Sequence, residues 1–100
     1  MDWRVYIILC TNGSLYTGIS NDVARRLTQH LNKRGAKFFR GHTPKQLVYL
    51  EKGHSRSSAS CREAAIKQLS RAEKLCLIES EENAIKGLEI NISDGLEHID

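Results

Sequence analysis

Residues 3–19 leave the chain little conformational choice. Trp3 to Cys10 is rich in β-branched and aromatic residues, and Leu15 to Ile19 is a second run of the same kind. Between them Thr11-Asn12-Gly13-Ser14 carries an Asn-Gly pair, which reverses a chain tightly because both residues tolerate positive φ. The prediction is a β-hairpin. Its antiparallel strands bring Tyr6 and Tyr16, ten positions apart, onto neighbouring strands. By themselves two such tyrosines read as aromatics packing across a hairpin.

The rest of the chain wraps this hairpin. Asn21 or Asp22 can cap a helix whose apolar stripe is Val23, Leu27 and Leu31, with Arg26 and His30 in a row at its margin. Gly35 is expected to end that helix, and a basic loop runs from Ala36 to Lys45. Leu47 to Glu51 reads as a third strand. Ser57 is a plausible N-cap for a helix reaching Leu69, and Ser70-Arg71-Ala72-Glu73 has the form of a capping box opening another. Within the second of these helix-forming stretches Glu63 stands three positions before Ile66, so its carboxylate is expected to face buried territory and to need a partner there, either a metal or Arg26. Leu88 to Ile92 alternates like a short strand, but its acidic setting suits a loose tail equally. The expected architecture is a small single α/β (α+β) domain over residues 1–80, a three-stranded antiparallel sheet flanked by about three helices, with an acidic C-terminal tail over 81–100.

Composition narrows the function classes. No apolar run approaches the roughly 20 residues of a spanning helix, and the short apolar stretch after Arg4 is too brief for a secretory signal. Three cysteines, Cys10, Cys61 and Cys76, leave one unpaired in any disulfide scheme, which favours a reducing cytoplasm. Cys61 and Cys76 read as small core hydrophobes, and the scattered histidines and cysteines lack zinc-ligand spacing. The net charge of +3 hides segregation. Between Val23 and Arg56 lie nine basic residues, among them Arg25, Arg26, Lys33, Arg34, Lys37, Arg40 and Lys45, against the single acid Glu51. From Glu79 onward the acids dominate. A basic middle supplies the field that nucleic-acid phosphates respond to, and the acidic tail offers at most a weak case for a protein partner.

Arg4-Val5-Tyr6, Tyr16-Thr17-Gly18, Arg26, His30 and Glu63, in that order and spacing, resemble the GIY-YIG nuclease superfamily. The stretch Ile66 to Lys74 resembles its small stand-alone bacterial members. The resemblance covers residues 3 to 79 and implies metal-dependent hydrolysis of nucleic-acid phosphodiesters, DNA more than RNA, in repair or turnover. It implies that Glu63 holds Mg²⁺ or Mn²⁺, that Tyr6 assists deprotonation of water, and that Arg26 binds phosphate and lowers the phenol's proton affinity. Tyr16 and His30 would orient water or phosphate, and Gly18 would permit close backbone approach. Arg4, Thr17 and Ile19 depart from the family pattern. So does the window Leu75 to Ile78, which lacks the asparagine many members carry beyond the glutamate; Asn83 is the nearest and is assigned no role. The alternative is a module that binds nucleic acid without cutting it.

Overall fold

A computed structural model describes residues 2–32, 37–88 and 90–92. The hairpin forms as expected. Strand β1 (Trp3–Cys10) pairs antiparallel with β2 (Leu15–Ser20), with Tyr6 opposite Gly18 and Ile8 opposite Tyr16. Gly13 takes φ +88°, Gly13 N–H bonds Cys10 O at 2.9 Å, and Asn12 Oδ1 accepts from Ser14 N at 3.1 Å. Strand β3 (Pro44–His54) runs antiparallel along the other side of β1 and is longer than the five residues expected. A fourth strand, β4 (Ile90–Asn91), joins the far side of β3 and completes the order β2-β1-β3-β4.

Residues past the expected boundary at 80 enter the core. Ile85, Ile90 and Ile92 are buried in the same cluster as Tyr6, Leu27 and Leu47. Asn83, only 6% exposed, acts as a side-chain substitute for a strand along the outer edge of β3. Its Oδ1 accepts from Leu50 N and Ile85 N, both at 3.1 Å, while its Nδ2 donates to Val48 O at 2.9 Å and Ile78 O at 2.8 Å. Ala84 N–H then donates to Leu50 O at 2.8 Å. The acid-rich composition concealed this because the inward residues are three isoleucines and a neutral amide, spaced among charges that face water.

Among the described residues three α-helices flank the sheet. Helix α1 (Val23–Leu31) is capped by Asp22, whose carboxylate accepts from Arg25 N. Its inner face differs from the expected stripe: Val23 and Leu27 are buried, but Leu31 is 37% exposed and His30 fully buried. At about 100° per residue His30 lies roughly 20° from Val23 around the helix, whereas Leu31 lies roughly 80° away. The expected helix end at Gly35 lies outside the described residues. A 3₁₀ turn over Lys37–Arg40 follows in place of part of the expected loop, and it buries Phe39.

Helix α2 (Arg56–Lys67) opens at Ser55, two residues before the expected cap, because Ser55 and Ser58 satisfy each other's backbone in a capping box. Helix α3 (Arg71–Ile78) opens with the expected box of Ser70 and Glu73. Ala59 and Ile66 of α2 pack with Val5, Ile7 and Tyr49 on the face opposite Tyr6. An ionic cluster pins α2 to β3. Glu51 accepts from Tyr49 Oη, from Arg62 Nε at 3.1 Å, and bonds His54 Nε2 at 2.6 Å. Burial alone would raise the Glu51 carboxyl, but bonds from Tyr49 and His54 and the Arg62 charge bring its pKa below the ordinary value. Cys61 and Cys76 are exposed, against expectation, and only Cys10 is buried. Position 61 lies about 160° around α2 from the buried Ala59, on the far side of the helix.

Candidate active site

The hairpin register builds the centre of the site. With Tyr6 facing Gly18 across the pair, the phenol ring lies over bare backbone. A Cβ at residue 18 would come within 2.6 Å of Tyr6 Oη, 2.7 Å of its Cζ and 3.0 Å of Tyr16 Cε2. Gly18 is therefore required by close approach, not by a turn. Tyr16, diagonal to Tyr6 on the same face, places its ring centroid 6.4 Å away.

Helix α1 delivers the next two groups. The Tyr6 hydroxyl and His30 Nε2 form a buried hydrogen bond of 2.9 Å. Tyr16 meets the His30 ring edge-on at 5.6 Å, and Phe39 lies against both, 4.4 Å from His30 and 4.8 Å from Tyr16. One helical turn earlier, Arg26 donates from Nη1 to Gln29 Oε1 at 3.1 Å and sets its charge beside the phenol. Burial pushes the Tyr6 hydroxyl well above the ordinary tyrosine range and Tyr16 adds to the rise, while Arg26 opposes it. Tyr16 is also raised by burial, against the pull of Lys67 and Arg26. Burial, then the Arg26 charge, bring His30 down to about 4, so its imidazole is neutral at pH 7.

Glu63 of α2 reaches this group electrostatically, since its charge raises both tyrosines. Its side chain does not point into the core as expected. It is 23% exposed and pairs with Lys67 Nζ at 3.2 Å, not with Arg26. Position 63 lies about 60° around α2 from the fully buried Ile66, enough to move it from the packed face to its shoulder. Lys67 was missed in the sequence; its signal was the i,i+4 spacing from Glu63. Tyr6, Tyr16, Gly18, Arg26 and His30 thus come together at the β2 side of the sheet, and Glu63 acts on the two tyrosines through its charge.

The basic residues fall in two groups. Arg25 and Arg26 line a shallow cleft of about 160 Å³ with Ser20, Asn21, Asp22 and Gln29. Lys37, Arg40 and Lys45 are exposed along the segment that carries Phe38 and Phe39. Lys33 and Arg34 lie outside the described residues. For the divalent ion that the resemblance implies, the donor set is one accessible carboxylate, with no cluster of three His, Cys, Asp or Glu among the described residues. A single hard oxygen ligand on open ground fits Mg²⁺ or Mn²⁺, which keep most of their waters and share phosphate oxygens.

The sequence pattern of the GIY-YIG catalytic domain matches residues 2–76. The chain belongs to the GIY-YIG family. It is 45% identical to a UPF0213 protein of Desulfotalea psychrophila over 87 residues, which is 86% of this chain and 79% of that one. With a UPF0213 protein of Xanthomonas axonopodis pv. citri it shares 40% identity over 83% of this chain and 81% of the other. The solution NMR structure of a UPF0213 protein from Bacillus halodurans superposes with a TM-score of 0.53 at 38% identity, covering 84% of this chain and 89% of that one. A second NMR structure, of a protein from E. faecalis, has a TM-score of 0.56 at 34% identity, covering 79% of this chain and 84% of the other. The fold is the small α+β domain these structures share. Among the described residues no helix is long and apolar enough to cross a membrane.

Proposed function

We propose that the protein is a metal-dependent endonuclease that hydrolyses nucleic-acid phosphodiesters, DNA in preference to RNA, in repair or turnover within a reducing cytoplasm. The observation that carries this reading is the Tyr6 phenol, laid over Gly18 and hydrogen-bonded to a neutral His30. A phenol held this far above its ordinary range is not a phenolate at rest, so it cannot simply store a base. It can pass a proton on. As Tyr6 Oη takes a proton from an attacking water, it releases its own to His30 Nε2, which is free of charge and within 2.9 Å. The proton count balances and no free phenolate forms.

Arg26 acts on this step in two ways. Its fixed charge favours departure of the Tyr6 proton while working against the charge His30 gains, and its guanidinium fork suits phosphate oxygens approaching from the Arg25–Arg26 cleft. Tyr16 and Phe39 wall the His30 ring and keep bulk water from it. Glu63 would hold the divalent ion, exchanging its Lys67 partner for it, and the bound ion would neutralise charge on the scissile phosphate and the leaving oxygen. The three free thiols suit a reducing compartment.

The test incubates purified protein with plasmid, branched and single-stranded DNA and with RNA, in Mg²⁺ or Mn²⁺, beside Glu63→Ala. Cleavage by the wild type that falls at least a hundredfold in the variant supports the reading. If the wild type cuts nothing, or the variant cuts equally well, the enzyme reading fails and the non-catalytic binding module takes its place.

A further inference from the structure

The segment Lys37-Phe38-Phe39-Arg40 spends its two aromatic residues differently. Phe39 is fully buried against His30 and Tyr16. Phe38 stays half-buried, and the His42 ring lies flat on it, 3.9 Å between centroids and 10° from parallel. The stack is held by His42 Nδ1 bonding Phe38 O at 2.9 Å, which closes a turn and fixes the imidazole in place. His42 is itself half-buried, so the pair is a preformed aromatic column with one end in the core and the other at the surface. Lys37, Arg40 and Lys45 stand exposed along the same stretch of chain.

The inner end of the column reaches the tyrosine site. Phe38 lies 5.3 Å from the Tyr16 ring and 5.2 Å from Phe39, and Tyr16 is 6.4 Å from Tyr6. A base that extends the stack outward on His42 would therefore join the ring contacts that lead through Phe38 and Tyr16 to Tyr6. Flat rings bordered by cations are the arrangement that holds unpaired bases, because every base has a π face and its phosphates need neutralising. A paired base inside a duplex offers no such face.

We propose that the Phe38–His42 stack is a docking platform for an unpaired nucleobase, and that the protein prefers single-stranded or locally opened nucleic acid to intact duplex. This rests on the nuclease reading for what happens at Tyr6, but the platform is a binding claim and is tested without cleavage. The probes are a 20-nucleotide single strand carrying one 2-aminopurine and the corresponding duplex, titrated in EDTA with full-length protein. Wild type should bind the single strand more tightly and quench the 2-aminopurine. Phe38→Leu keeps apolar volume without a π face, and His42→Ala touches a half-exposed ring, so at least one variant should keep the fold, checked by circular dichroism. Each should weaken single-strand binding by about tenfold or more, change duplex binding less than twofold, and leave the salt slope unaltered. His42→Tyr should restore binding. Equal losses on both probes, no loss on the single strand, or a wild type without single-strand preference would overturn the platform. Cleavage that survives while the variants bind normally removes the platform and leaves the nuclease. Selective loss of binding in a protein that never cleaves removes the nuclease and leaves the platform.

Discussion

Replacing Asn83 with alanine tests how far the domain extends. Its amide serves four backbone partners: Leu50 N, Ile85 N, Val48 O and Ile78 O. The two N–H donors are in buried bonds, while the two carbonyls are in partly buried ones that water can reach. An unsatisfied buried donor costs about 1–3 kcal/mol, so the pair of N–H groups gives about 2–5 kcal/mol in all after partial relaxation. That is a large share of the roughly 5–15 kcal/mol by which a domain of this size is stable. The melting temperature should fall by roughly 8–40 °C, using about 4–8 °C per kcal/mol for a small domain. Thermal unfolding followed by Trp3 fluorescence and by far-ultraviolet circular dichroism measures the shift, and urea denaturation with the same probes gives the free energy. Asn83→Asp supplies a control: it keeps both acceptor functions but sets negative charge against Val48 O and Ile78 O, so it should regain stability as acid protonates the new carboxyl. If residues past 80 were only a tail, Asn83→Ala would behave as a surface change, within about 0.5 kcal/mol. That result, with coincident unfolding by both probes, would sink the extended-domain reasoning.

Gly18→Ala should lower both stability and any cleavage, because its methyl would meet Tyr6 Oη at 2.6 Å and neither the strand pairing nor the phenol can yield without loss. The expected cost is about 1–3 kcal/mol, read as a lower urea midpoint, and a midpoint equal to wild type would contradict the close approach. Acid should weaken the fold through His30. Its pKa near 4 in the folded chain lies below the ordinary 6.5, so the unfolded chain binds the proton more readily, and stability is full above about pH 6.5 and is lost as pH falls toward 4. The span is on the order of 3 kcal/mol, measured as the difference in urea midpoint between pH 7 and pH 4.5. His30→Gln should flatten that dependence, and an unchanged slope in the variant would show that another group carries it.

Local chemistry was the most readable part of the chain. The Asn12-Gly13 turn and the Ser70–Glu73 box are set by a few neighbouring residues, and both appear where their sequence signals lie. The hairpin made the diagonal tyrosine pair legible too, since register follows from the turn. What failed were statements about facing. A four-residue stripe drifts around a helix, so His30 replaced Leu31 inside α1, and a carboxylate three residues from Ile66 fell at the shoulder of α2 with Lys67. Asn83 was illegible for a different reason. Its worth depends on an open sheet edge created by residues more than thirty positions away, and no local pattern records that.

The bed of the Tyr6 ring has a consequence for motion. The ring lies on the Gly18 backbone, flanked by Tyr16 and tied at its hydroxyl to His30, which leaves little room to rotate about its own axis. Its two edges should exchange slowly and give separate proton resonances, unlike those of a freely turning surface tyrosine. The phenol thus loses its orientational entropy when the chain folds, and little is left to lose when a phosphodiester arrives.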